Sequence, residues 1–136
     1  MAQPTPAQHM EQVIRTYFQA CNEADAAAIA SCFCPEAIHY LPPPLLKWSG
    51  AATISSNFVK IVREQGRYWT VDQLLTDADR CAATVEWTSF NRQHGRIRPR
   101  SGLGRLRAAD GAYSGSPVLH RGPNPSRPGT PRICRF

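Results

Sequence analysis

The sequence predicts an α+β fold in which helices come first and a pair of strands follows. Segments in the first half place apolar side chains three and four residues apart, the spacing of a helix with one buried face. Residues 68–76 and 80–92 instead form two strand-like runs, and the second alternates apolar and polar side chains, as a strand with one buried face does. The length of 136 residues accommodates one domain with a single core.

The first helix is predicted over residues 8–22, because its apolar side chains form one stripe: Met10, Val13, Ile14, Tyr17, Phe18 and Cys21. Asp25 is well placed to cap a second, short helix that continues to Phe33. Pro35 is expected to stop this helix, and residues 37–41 then form a short strand before three consecutive prolines.

A third helix is predicted to begin at Ser49 or Gly50 and to end near Glu64. Gly66 follows as its C-terminal signal, since glycine readily adopts the left-handed conformation that ends many helices. The buried face of this helix is predicted to hold Ile54, Phe58, Ile61 and Val62.

Residues 68–76 and 80–92 are predicted to form a hairpin that turns at residues 77–79. In its second strand one face is apolar and the other mostly polar, which predicts burial on one side. The apolar face is formed by Cys81, Ala83, Val85 and Trp87.

Charge divides the chain into two unlike parts. Residues 1–94 hold seven Lys/Arg and nine Asp/Glu, a net charge of −2, whereas residues 95–136 hold nine Arg and one Asp, a net charge of +8. The second part also contains half of the twelve prolines and seven of the nine glycines. This composition predicts an ordered domain over residues 1–95 and a disordered, basic C-terminal segment over residues 96–136.

The cysteines and the N-terminus predict a reducing compartment. The five cysteines are scattered, and no basic, apolar leader precedes them, so reduced thiols in the cytoplasm are expected. Cys32 and Cys34 have no second Cys/His pair at ligand spacing, and neither a metal nor another cofactor is predicted. No apolar run reaches the roughly 18–20 residues of a membrane helix.

The order of these elements resembles the start of the nuclear transport factor 2-like superfamily, especially its SnoaL-like and ketosteroid isomerase branches. The resemblance covers residues 8–94 and implies a cone in which a curved antiparallel sheet wraps three helices and encloses an apolar pocket. It also implies homodimers formed through the outer face of the sheet. The last strands are predicted to be missing. The resemblance depends on residues 17–22, Asp25, residues 28–33, residues 35–37, Gly50, Ile54 and Phe58.

The ketosteroid isomerase pattern implies a tyrosine that donates a hydrogen bond and a carboxylate that moves a proton. Tyr17 matches the tyrosine, although its place on the apolar stripe equally indicates a core residue. The carboxylate position falls on Leu41, which cannot accept a proton, so the isomerase mechanism does not transfer. His39 shares a strand face with Leu41 and is the best available general base, against the alternative of a buried strand histidine.

Further residues are predicted to line the substrate pocket or its rim. Asp25 is expected to be a helix cap rather than a catalytic acid, and Arg92 and His94 are candidate rim residues. The Asp/Arg/Asp arrangement of limonene epoxide hydrolase-like relatives cannot be located. Substrate contacts are expected from a set of apolar side chains, with plain core packing as the alternative for the tryptophans: Leu41, Trp48, Phe58, Trp69 and Trp87.

Three hypotheses remain for the C-terminal segment. A basic arm could contact nucleic-acid phosphates, although it lacks the interleaved aromatic residues that stack on bases. A low-complexity extension is the second hypothesis. The third is translation out of frame: read one nucleotide later, residues 113–123 permit Ile-Arg-Glu-Val-Arg-Tyr-Tyr-Ile-Ala-Ala-Pro, similar to the last strand of SnoaL-like proteins.

Three functions follow from these observations. The first is a small-molecule pocket protein, an isomerase, cyclase or hydrolase acting on an apolar, polyketide- or steroid-like substrate. The second is a non-catalytic ligand-binding or dimerisation module of the same fold. The third, a nucleic-acid binder acting through its basic segment, is the least favoured, because the domain itself carries a net charge of −2.

Overall fold

A computed structural model of the protein describes residues 2–40, 47–93, 96–109 and 132–135, with the backbone alone from residue 93 onward. Within these residues the chain forms helices and an antiparallel-rich sheet, which confirms the predicted α+β class. The elements in chain order are α1 (Pro6–Asn22), α2 (Ala26–Ser31), β1 (Phe33–Tyr40), β2 (Lys47–Ser49), α3 (Ala51–Gln65), β3 (Tyr68–Asp77), β4 (Ala82–Gln93), β5 (Arg96–Ala109) and β6 (Arg132–Arg135).

The described strands form one sheet in the order β2-β1-β6-β5-β4-β3, which places β2 and β3 at its two edges. β1 and β6 run parallel, and the other neighbouring strands run antiparallel. α1 packs on β3 while α3 packs on β1, so the helices cover the sheet and bury a single core. No helix in this part of the chain is long and apolar enough to span a membrane.

α1 begins two residues earlier than predicted because Thr5 and Gln8 form a capping box. Its predicted stripe is buried, apart from the half-buried Val13. The helix ends in a Schellman motif, in which the N–H of Asp25 donates to the carbonyl of Ala20 and Ala24 takes a φ of 53°. This turn directs the chain from α1 into α2.

α2 is shorter than predicted and β1 is longer. The carboxylate of Asp25 accepts the N–H of Ala28 at 3.0 Å, which confirms the predicted cap. The helix ends at Ser31, whereas residues up to Phe33 were expected to be helical, because the chain enters the sheet at Phe33. Pro35 lies inside β1, where the register with β6 shifts and a missing N–H is tolerated.

α3 begins after Gly50, which has a φ of 91°, and ends at Gly66, the predicted C-terminal signal. Gly66 has a φ of 58°, and a Cβ there would lie 3.1 Å from the Cβ of Arg92. The close approach of Arg92 and the left-handed backbone both require glycine at this position. The short strand β2 before α3 was not predicted.

β3 and β4 form the predicted hairpin, with the turn one to two residues later than expected. Their register shifts at Asp72, which is an extra residue between the pairs Val71–Trp87 and Gln73–Glu86. The hydroxyls of Thr70 and Thr88 donate to the Asp72 carboxylate at 3.2 and 2.6 Å. These two hydrogen bonds hold the bulge in place.

The expectation that strands are missing after residue 95 is wrong. β5 pairs with β4 from Arg96 to Arg107, and β6 lies between β1 and β5. The Arg/Gly/Pro composition gave no strand signal, but backbone N–H and C=O groups of almost any sequence can pair with an open strand edge. Residues 110–131 lie outside the described residues, so their predicted disorder remains a prediction.

The cysteines differ from the expectation of five reduced thiols. Cys21, Cys32 and Cys81 are free, whereas Cys34 is disulfide-bonded. Cys34 follows Phe33 in β1, and Phe33 pairs with Ile133 of β6 in a parallel register. The sequence alone did not reveal that β1 and β6 are neighbours.

Candidate functional site

An aromatic cluster centred on Phe58 brings together most of the predicted site residues. Its other members are Tyr17 from α1, His39 from β1, Trp48 from β2 and Trp69 from β3, and Phe58 itself is on α3. The ring centroid of Phe58 lies 5.2 Å from His39, 5.4 Å from Trp48, and 5.8 Å from both Tyr17 and Trp69. Each of these pairs is edge-to-face, the arrangement that aromatic quadrupoles favour.

His39 is a buried histidine enclosed by aromatic rings. It is 4% exposed, and β1–β2 pairing places it directly opposite Trp48, on which its ring stacks at 5.4 Å. Burial disfavours the charged imidazolium and lowers the pKa of His39 from its ordinary 6.5 to about 4. At neutral pH His39 is therefore uncharged.

Tyr17 is more deeply buried than a catalytic acid usually is. Its exposure is 2%, and its ring also meets Phe18 and Phe33 at 5.0 and 5.2 Å. Burial raises the pKa of Tyr17 well above its ordinary value, with added contributions from a hydrogen bond and charge interaction with Cys21. The phenol therefore stays protonated, and it can act only as a hydrogen-bond donor or acceptor.

Two other predicted contact residues lie away from the centre of the cluster. Trp87 is half-buried and packs on Phe18, with a centroid distance of 6.2 Å. Leu41 lies outside the described residues, as does the candidate rim residue His94. Arg92 is exposed at the end of β4.

The sequence places Asn22 only at the end of the first predicted helix. Its carboxamide donates to the carbonyl of Trp69 and accepts the N–H of the same residue, both at 2.8 Å. A polar side chain at the end of an apolar stripe signalled the end of α1. Nothing in the sequence indicated that it contacts a strand 47 residues away.

An open groove of about 500 Å³ lies between α1 and β3. Arg15, Gln19 and Asn22 line its helical side, and Tyr68 and Thr70 line its strand side. The groove is open and lined by polar as well as apolar side chains, whereas the aromatic cluster is enclosed and built of rings, so they offer different chemistry. Among the described residues, no group of three His, Cys, Asp or Glu side chains could hold a metal ion.

Comparison with known proteins identifies a related family. The model of the SnoaL-like domain matches residues 14–114, further along the chain than the resemblance recognised in the sequence. No curated protein matches. A protein of unknown function with a cystatin-like fold, from Methylobium petroleophilum PM1, is 32% identical over 86% of this chain and 84% of that chain, with a TM-score of 0.58.

Two solved structures at lower identity share the fold. An LEH-like epoxide hydrolase of M. tuberculosis is 11% identical over 96% of this chain and 81% of that chain, with a TM-score of 0.71. A proposed polyketide cyclase of Xanthomonas campestris pv. campestris is 13% identical over 96% and 89% of the two chains, with a TM-score of 0.69. At these identities the similarity concerns the fold alone.

Proposed function

Because the chain belongs to the SnoaL-like domain family, we propose that it binds an apolar small molecule at the aromatic cluster and that His39 acts there as a general base. The observation that carries the proposal is the burial of a neutral histidine between Trp48 and Phe58. A base in this setting accepts a proton from a bound substrate, or from a water that attacks one. Apolar walls favour a substrate with a large hydrophobic body.

The reaction class follows from which groups accompany His39. Tyr17 supplies a phenol with a raised pKa, which can donate a hydrogen bond to an oxygen on which negative charge develops. A neutral base with a phenolic donor suits proton transfer next to a carbonyl, as in an isomerase or cyclase, or the opening of an epoxide by water. Leu41 and Trp87 stay predicted substrate contacts.

The test uses two isosteric changes and one control. His39→Gln removes the base, Tyr17→Phe removes only the hydroxyl, and His9→Gln changes a histidine in the first turn of α1. Turnover of styrene oxide and of an androstenedione isomer is measured for each variant. A loss of about 100-fold or more for His39→Gln, with His9→Gln unchanged, supports the proposal. If the parent turns over a substrate and His39→Gln turns it over at the same rate, the proposal is contradicted.

A non-catalytic binding module is the second candidate, and the burial of Tyr17 favours it. A phenol that is 2% exposed and hydrogen-bonded to Cys21 has the surroundings of a core residue. Binding of the fluorescent dye anilinonaphthalene sulfonate separates the two candidates. Dye binding without turnover of either substrate, and with the same dye affinity in His39→Gln, favours a binding module.

A further inference from the structure

We propose that Asn22 is a positioning residue that holds Trp69 in the wall of the aromatic cluster, an inference that rests on the proposed function. The Asn22 carboxamide makes two hydrogen bonds of 2.8 Å with the backbone of Trp69, one as donor and one as acceptor. Both are partly buried and join the last residue of α1 to the second residue of β3. Asn22 thereby connects the helical layer to the sheet beside the cluster.

The two hydrogen bonds take the place of a neighbouring strand. β3 is at the edge of the described sheet, so the N–H and C=O of Trp69 that point away from β4 meet no strand. A carboxamide carries one carbonyl acceptor and one N–H donor side by side, and therefore pairs with both backbone groups of one residue. Neither alanine nor a carboxylate can make both hydrogen bonds.

The position of Trp69 matters because its ring is part of the cluster. The Trp69 side chain is buried, its ring lies 5.8 Å from Phe58, and Phe58 lies 5.2 Å from His39. Freeing the backbone of Trp69 allows this ring to leave Phe58 and opens the wall around His39. Asn22 therefore acts on the site through Trp69 without touching the ring of His39 itself.

A pH-dependent variant separates positioning from general stabilisation. In Asn22→Asp at neutral pH, the carboxylate still accepts the Trp69 N–H but faces the Trp69 carbonyl with a second oxygen. This repulsion raises the pKa of the introduced carboxyl group. Once protonated, the group again offers one donor and one acceptor. Acid therefore restores the clamp, the pair of hydrogen bonds that residue 22 makes with the backbone of Trp69. Asn22→Ala has no such recovery.

The experiment follows the solvent access of Trp69 in a Trp48→Phe/Trp87→Phe background, in which Trp69 is the single tryptophan. Acrylamide quenching is measured at about pH 7.5 and about pH 5. At the higher pH, Asn22→Asp and Asn22→Ala are expected to raise the quenching constant at least about twofold, because the edge opens locally. At the lower pH only Asn22→Asp is expected to return to the parent value.

Gln19→Ala is the matched control, because Gln19 lines the same groove one turn earlier and its side chain bonds to the exposed Glu23. It is expected to leave the quenching constant unchanged. Quenching that is equal in the parent, Asn22→Asp and Asn22→Ala overturns the proposal, as does unfolding of both variants without recovery in acid. Should the background itself not fold, near-ultraviolet circular dichroism of the three-tryptophan chain provides the same comparison.

Dye binding connects the clamp to the proposed function. In the chain with all three tryptophans, Asn22→Asp is expected to weaken anilinonaphthalene sulfonate binding several-fold at about pH 7.5 and to recover at about pH 5. Unchanged affinity despite raised quenching overturns the link between Trp69 and the site. A parent that does not bind the dye contradicts the proposed function, while the quenching series still decides whether Asn22 positions Trp69.

Discussion

Strands β3 and β5 lie on opposite sides of β4 and are held there in different ways. β3 contributes Trp69, Val71 and Leu74 to the core as well as its backbone hydrogen bonds. β5 follows β4 in register over almost its whole length, yet arginine makes up five of its fourteen residues and its apolar residues do not alternate regularly with polar ones. This difference shows that backbone hydrogen bonds can position a strand in the sheet, whereas alternating apolar side chains make the strand recognisable from the sequence.

The unusual composition of β5 bears on the hypothesis that the codons after codon 95 are translated out of frame, which the nucleotide sequence of the gene can decide. We propose that residues 96–136 derive from a shifted frame, because their composition changes at residue 95; the match of the SnoaL-like model up to residue 114 counts against a shift before that residue. The nucleotide sequence across codons 90–136 is the measurement. An open shifted frame that encodes an apolar, strand-forming segment supports the proposal, and an early stop codon in that frame contradicts it.

Removing β5 by truncation is expected to have the largest effect on the stability of the protein. A chain ending at residue 95 leaves the edge of β4 unpaired and is expected to lose its whole stability, about 5–15 kcal/mol for a domain, and to aggregate. A chain ending at residue 109 keeps β5 and is the control. Size-exclusion chromatography with light scattering tests the pair, and a monodisperse, cooperatively melting shorter chain would show that β5 is dispensable.

Phe58→Ala tests the β3 side of the comparison, where Trp69 packs on Phe58 of α3. Phe58 is 7% exposed and touches four other rings of the aromatic cluster, so its loss leaves a cavity that the neighbours cannot fill. The free energy of unfolding is expected to fall by about 3–5 kcal/mol. Denaturant titration measures the change, and Phe58→Leu, which keeps more of the volume, should cost less. Equal costs for both variants would argue against the ring contacts.

How far the sequence predicts this molecule depends on how local each signal is. The α1 stripe, the Asp25 cap and the Gly66 signal are confirmed, because a helix and its ends are encoded within a few residues. The meeting of His39 with Trp48 was not predicted, because it depends on β2, a strand of three residues. Long-range pairing of this kind has no local pattern.

The same limit applies to the C-terminal strands and to the clamp. β5 and β6 carry no periodic apolar signal, so the composition indicated disorder although an open edge was available for pairing. In the sequence Asn22 marks only the end of the first helix, and its contact with Trp69 becomes visible once β3 is placed beside it. The candidate site was predicted by residue type, while its arrangement around Phe58 required the fold.

His39, which belongs to the same aromatic cluster as Trp69 of β3, makes the stability of the folded protein sensitive to pH. Its pKa is lowered to about 4 in the folded protein against 6.5 ordinarily, so the unfolded chain binds the proton more readily. Stability from this group is fully present above pH 6.5 and is lost as the pH falls toward 4, by about 3 kcal/mol in total. Unfolding titrations of the parent and of His39→Gln measure it. An equally steep pH dependence in His39→Gln would contradict the assignment.

The smallest expected effect is a gain at the α1–α2 turn, which follows Asn22, the residue that joins α1 to β3. Ala24 has a φ of 53°, a left-handed conformation that suits glycine better than alanine. Ala24→Gly is expected to raise the free energy of unfolding by about 0.5–1 kcal/mol, in contrast to the usual loss from glycine. Thermal melts measure the change, with Ala27→Gly inside α2 as the destabilising control.

The bulge at Asp72 also bears on how this sheet behaves in a crowded solution. β3 is at the edge of the sheet that the described residues form, and an edge offers its backbone to any other extended chain that approaches. The extra residue breaks the even spacing of donors and acceptors, and the carboxylate held by Thr70 and Thr88 puts a negative charge at that point. A strand added by another molecule would lose its register at Asp72, so the sheet is protected from growing into a fibre at this edge.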